Sequence, residues 1–109
     1  MRTDEKFIAG SGNVFADLGL PDADIELAKA ILASTIRNCI RARGLTQQDA
    51  AILLDIDQSK ISAIMKGKVS GYTYDRLLRY LNKFNRDVTL VIGPEKADHS
   101  EGQTLVEVG

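Results

Sequence analysis

The stretch Thr46–Gly67, TQQDAAILLDIDQSKISAIMKG, decides how this chain folds. It reads as two short helices joined by a tight turn. Thr46 is placed to cap the first, because its hydroxyl can accept the free N–H of Asp49 while the Asp49 carboxylate, at the third helical position, answers in return. The spacing therefore starts a helix at Gln47. Ala50 and Ala51 are small and let another helix cross closely, and Leu54, Ile56 and Ile61 fill the inside of the elbow. Asp57 is positioned to cap the next helix, which the pattern runs over residues 58–66 with Gln58, Ser59, Ser62 and Ala63 along its outward edge. The turn between the two asks for a left-handed residue. Asp55 stands there, and aspartate tolerates that backbone better than most residues do.

These positions together resemble the lambda-repressor-like, or Xre-family, helix-turn-helix: the Thr46-Gln47 opening, Ala51, a turn before Ile56, the Ile61-Ser62 pair and the closing Gly67, with Asp55 as the departure. The resemblance implies that the second helix enters the major groove of DNA. Its polar edge has suitable chemistry. Gln58 can pair in bidentate fashion with adenine, Ser59 and Ser62 can bond to several bases, and the Ala63 methyl can meet a thymine methyl. Gln47, with the free N–H groups of its turn, can grip a phosphate, and Lys60, Lys66 and Lys68 can hold the backbone without reading sequence. Taken singly, Gln58, Ser59 and Ser62 are ordinary solvent-facing polar residues; their place in the 22-residue pattern is what marks them.

The net charge of −1 argues against a nucleic-acid partner only until it is divided along the chain. Residues 1–28 hold two cations and six carboxylates, for a net of −4, and residues 87–109 return to −4 with Lys96 alone against five carboxylates. Between them, residues 58–86 carry Lys60, Lys66, Lys68, Arg76, Arg79, Lys83 and Arg86 against Asp75, for a net of +6. A duplex responds to local charge over about a Debye length, so such a block can meet phosphates inside an acidic chain. A merely solvated helix face is the plainer alternative.

The rest of the chain frames this segment. Residues 1–12 read as a flexible start, residues 13–92 as one DNA-binding and dimerisation domain, and residues 93–109 as a flexible tail. Asn13–Leu20 reads as a short arm with Val14, Phe15, Leu18 and Leu20 on it. After an N-cap at Asp22, a helix is expected over residues 23–43 with a buried stripe of Ile25, Ala28, Leu32, Ile36, Cys39 and Ile40, stopped by Gly44. Cys39 is expected as a buried packing thiol. A further helix, capped by Thr73 or Ser70, should cover residues 74–84 and bury Leu77, Leu78, Leu81 and Phe84, with Arg76, Arg79 and Lys83 toward solvent. Asp87–Ile92, DVTLVI, changes to a two-residue period and predicts a strand with Val88, Leu90 and Ile92 on one side. A lone strand needs a partner, either the same strand of a second copy across a two-fold axis or the N-terminal segment of its own chain. The expected fold is thus mainly α, a helix-turn-helix bundle of four to five helices with one C-terminal β-strand paired across a homodimer.

From Asn13 through Ile92 the order of these segments is similar to small Xre-type regulators that include HigA-like antitoxin proteins. That likeness implies binding to a near-palindromic operator, autorepression, and in many members neutralisation of a ribonuclease toxin. No motif here carries the toxin role; its candidate surfaces are the acidic N-terminal arm and the stripe of Leu27 and Ile31. A protein-interaction module that neutralises such a toxin without binding DNA is the alternative reading. An enzyme is not expected, since Cys39 and His99 are the single cysteine and histidine and form neither a nucleophile–base pair nor a metal-ligand set. No cofactor and no membrane partner are expected, and the expected location is the cytoplasm, because no run approaches the roughly 20 apolar residues of a span and no signal core opens the chain.

Overall fold

The computed structural model describes residues 22–109, so the expected flexible start and the arm of residues 13–20 lie outside the described residues. Residues 29–88 form one compact unit, and the described residues 22–28 and 89–109 belong to a second. Among the described residues there are four helices: α1 (Ala23–Ala42), α2 (Gln47–Leu54), α3 (Gln58–Met65) and α4 (Tyr74–Lys83). None of them is long and apolar enough to cross a membrane.

Within residues 29–88 the core draws on every helix. Leu32, Ala33, Ile36 and Ile40 of α1 are buried with Ala50, Ala51 and Leu54 of α2, Ile61 and Ile64 of α3, and Leu77, Tyr80, Leu81 and Phe84 of α4. Val69 of the loop before α4 is buried as well. Complete burial of a side chain such as Ile36, Leu54, Ile61, Ile64 or Leu77 is worth about 1.5–3 kcal/mol relative to exposure. Two expectations shift here. Cys39 is only half-buried, and Leu78 is half-buried while Tyr80 takes the interior place, so the buried face of α4 is rotated by a fraction of a turn. The Tyr80 hydroxyl, sealed from solvent, has no hydrogen-bond partner, and burial raises its pKa.

All four helices stop in the same way. A left-handed residue follows the last turn, and the next N–H bonds to the carbonyl five residues back, the Schellman arrangement. For α1 the residue is Gly44 (φ +65°), with Leu45 N–H on the Ile40 carbonyl at 3.1 Å. For α2 it is Asp55 (φ +58°), with Ile56 N–H on Ala51 at 3.0 Å; for α3 it is Gly67 (φ +76°), with Lys68 N–H on Ala63 at 2.8 Å; for α4 it is Asn85 (φ +65°), with Arg86 N–H on Leu81 at 3.1 Å. Glycine takes two of these places because it alone pays no Cβ penalty there, and Asp and Asn take the others because they tolerate αL best among the remaining residues.

The expected strand does not form: no residue of the described segment 87–92 joins a ladder, and there is no strand among the described residues. Leu90, Val91 and Ile92 are 77%, 85% and 93% exposed. Alternating β-branched residues make a strand only when their N–H and C=O groups meet a second backbone, and residues 22–109 of a single chain supply none. Further along, Asp98 accepts the N–H and the hydroxyl of Ser100 on one oxygen (3.0 and 2.7 Å), which holds its carboxyl below the ordinary range, and Thr104 N–H donates to Asp24 at 2.8 Å.

Asp55 permits a direct check on the elbow. Asp55→Ala should lower stability by about 1 kcal/mol, since a Cβ without a local polar group carries the full left-handed penalty, whereas Asp55→Gly should leave it equal or higher. Thermal melts of the two variants should straddle the parent, with the alanine form lower by about 4–8 °C.

Candidate nucleic-acid interface

The entry to α2 has the cap expected of it. Thr46 adopts an extended backbone (φ −75°, ψ 167°); its Oγ1 accepts Asp49 N–H at 3.0 Å and its own N–H donates to Asp49 Oδ2 at 3.4 Å. Gln47 is exposed at the first position of α2, where unsatisfied backbone N–H groups and the positive end of the helix favour an anion. At the end of α2 the left-handed Asp55 turns the chain, and two residues later α3 begins.

The position of α3 is set from both sides. Ile61 and Ile64 face inward with no exposure. Tyr72, from the loop beyond, donates its hydroxyl to the Lys60 carbonyl at 3.1 Å, and Arg37 of α1 donates to the Ile64 carbonyl at 3.0 Å. The 3.6-residue period then leaves positions 58, 59, 62 and 63 on the opposite arc. Gln58 and Ser59 are exposed and Ser62 and Ala63 half-exposed, so the structure gathers all four proposed base-reading residues on one edge. Asp57 occupies the N-cap position with the right backbone (φ −66°, ψ 145°), but its side chain makes no capping bond, contrary to expectation.

The basic block divides into two groups with different work. Lys66 and Lys68 are exposed just beyond α3, and Lys60 is half-buried at a groove it shares with Asp55, Ile56, Asp57, Asp75, Arg76, Arg79 and Tyr80. Asp75 in that groove is kept below the usual carboxylate range chiefly by the Thr73 hydroxyl bonded to it. Lys83 belongs elsewhere. Expected toward solvent, its ammonium instead donates to the Leu54 carbonyl at the end of α2 (3.1 Å). Arg43 likewise serves the end of α4, donating to the Phe84 carbonyl (2.9 Å) and to Asn85 Oδ1 (2.7 Å), with its guanidinium 5.2 Å from the Phe84 ring centre. With Arg37 on Ile64, three helix C-termini each receive a cation from a distant part of the chain, the charge that their exposed carbonyls favour.

The family model described as "Helix-turn-helix domain" matches residues 14–93, which is most of the chain. The chain belongs to this helix-turn-helix family. Its fold is also similar to the solved structure of a "Putative XRE Family Transcriptional Regulator", with a TM-score of 0.73 and 31% sequence identity over 82% of this chain and 100% of that one. No curated protein matches the chain. In this helix-turn-helix protein, α2 and α3 are the paired helices of the motif, and α1 and α4 are the frame that holds them.

The division of the cations can be separated by experiment. Lys83→Met should cost about 1 kcal/mol of stability through the lost hydrogen bond from a charged donor, discounted for its exposure, and leave the salt dependence of DNA binding unchanged. Lys60→Ala and Lys66→Ala should behave in the opposite way, each lowering the slope of log affinity against log salt by about 1 without moving the melting temperature.

Proposed function

We propose that the chain is a sequence-specific DNA-binding transcriptional regulator that works as a homodimer and represses its own operon. The observation that carries the reading is the edge of α3: Gln58, Ser59, Ser62 and Ala63 lie together on a helix whose other face is fully buried and whose ends are held by Tyr72 and Arg37. In this reading Gln58 meets an adenine, the two serines and Ala63 meet neighbouring base edges, and Gln47, Lys60, Lys66 and Lys68 hold phosphates. The family match and the XRE-type neighbour support the DNA-binding, regulatory part of this reading.

The dimer rests on a separate observation. Leu90, Val91 and Ile92 form an exposed apolar run without a strand partner in residues 22–109, and the same run of a second copy, with Val88, would satisfy it by antiparallel pairing across a two-fold axis. One module of this size buries roughly 600–1,000 Å² on DNA, so two modules on half-sites about 34 Å apart give the specificity that one lacks. A second reading, neutralisation of a basic ribonuclease toxin, is favoured by charge. Residues 29–88 carry eleven Lys and Arg against five Asp and Glu, a net of +6, and the other unit carries three against ten, a net of −7.

Binding to the DNA upstream of its own gene tests the main reading. A specific site should survive competitor DNA, and Gln58→Ala should weaken specific binding by about 5- to 100-fold while leaving nonspecific binding nearly intact. Sedimentation at micromolar concentration should give twice the 11.9 kDa chain mass; a monomer that nevertheless binds a single site tightly would remove the dimer from the proposal.

A further inference from the structure

The groove that the elbow and α3 share with α4 holds two features that the outward edge of α3 does not use. The first is the Tyr80 hydroxyl. Tyr80 is only 5% exposed, it lines the groove, and its hydroxyl has no hydrogen-bond partner among the described residues. That oxygen lies near enough to Arg76 and Tyr72 to feel both. Phenylalanine would fill the same space without an orphan donor, so the packing of the core gives no reason for the oxygen. The second feature is charge. Lys60, Arg76 and Arg79 line the groove together with Asp55, Asp57 and Asp75, and no ion pair joins these cations to these carboxylates. Six charges that could neutralise one another in pairs are gathered without doing so.

We infer that this groove binds a small zwitterion of the amino-acid class, its carboxylate accepting hydrogen bonds from Arg76, Arg79 and the Tyr80 hydroxyl and its ammonium donating to the elbow carboxylates of Asp55 and Asp57. The balance of three cations and three carboxylates selects the class. A simple anion meets three carboxylates and a polyamine meets three cations, whereas a molecule with one charge of each sign finds an opposite partner at both ends. A guanidinium grips a carboxylate through two parallel N–H bonds, and a phenol supplies a further donor to the same oxygens. The groove volume of about 490 Å³ falls within the roughly 300–1,000 Å³ of small-molecule sites. Occupation has a consequence for DNA, and this consequence rests on the assignment of Lys60 to a phosphate. A carboxylate bound beside Lys60 competes for its ammonium, so zwitterion and DNA weaken each other's binding by the same factor.

Calorimetric titration of the full chain with the free amino acids, with sodium phosphate as the anion and putrescine as the cation, tests the inference. At least one amino acid should bind, and phosphate and putrescine should not. Tyr80→Phe should weaken that binding by about 10- to 100-fold, the range for a hydrogen bond to a charged group, yet melt at or above the parent temperature. Arg76→Gln should weaken it as well, with the melting temperature unchanged. The bound amino acid should lower the slope of log DNA affinity against log salt by about 1, as Lys60→Ala does. Binding of phosphate alone or putrescine alone, or of no probe, overturns the inference. So does a Tyr80→Phe variant that binds as the parent does, or one that loses stability, which marks the hydroxyl as a structural group on a buried water. An amino acid that binds with the expected variant effects but leaves DNA affinity unchanged overturns the competition and supports the site. A chain that binds no DNA overturns the reading of α3, and the calorimetry still decides the site.

Discussion

The structure depends on ending four helices within a short span, and each end passes through one left-handed residue. Between α2 and α3 the constraint is tightest. Asp55 takes φ +58° and ψ +50°, and the elbow it makes sets the angle at which α3 leaves α2 and hence which arc of α3 is free. The small Ala50 and Ala51 let the helices approach, and Ile61 and Ile64 fix the rotation of α3 by their complete burial. An elbow made instead by a residue with no tolerance for αL would cost of the order of 1–2 kcal/mol at a site where a small domain has little to spare.

Helix ends pose a second problem, because each leaves carbonyls without partners in the helix itself. Schellman bonds answer part of it, and long-range cations answer more: Lys83 at α2, Arg37 at α3, Arg43 at α4. These contacts tie each short helix to a residue 27 to 41 positions away, so they join the frame as well as complete the ends. They also withdraw charge from the surface available to DNA. Of the basic residues between 58 and 86, Lys83 is committed to structure, whereas Lys66 and Lys68 are exposed just beyond α3 and Lys60 lines the groove beside it.

How much of this was legible in the sequence depends on the range of each interaction. The Thr46–Asp49 capping box, the start of α2, the left-handed Asp55 and Gly44, and the outward edge of α3 could all be read, because each is settled by residues within one turn of one another. The destinations of Lys83 and Arg43 could not, since nothing near them in sequence names a carbonyl on another helix. Tyr80 was missed because Leu77, Leu78, Leu81 and Phe84 also fit a helical stripe; the choice between Leu78 and Tyr80 is made by neighbouring helices. Residues 87–92 form no strand for a different reason. β-branched alternation reports a preference for extended backbone, and a ladder needs a second backbone that the described part of the chain does not contain.

Asp57 shows why a local rule that fails is informative. Aspartate is among the best N-cap residues, the backbone before α3 has the right geometry, and the bond is still not made. At Thr46 the same opportunity is taken with both partners. Forgoing a capping bond gives up about 1 kcal/mol in a domain of modest stability. Thr73 before α4 makes no capping bond either, its hydroxyl bonding Asp75 instead, and Asp57 lines a groove with Lys60, Arg76 and Arg79, so N-cap propensity yields where charged neighbours compete for the side chain.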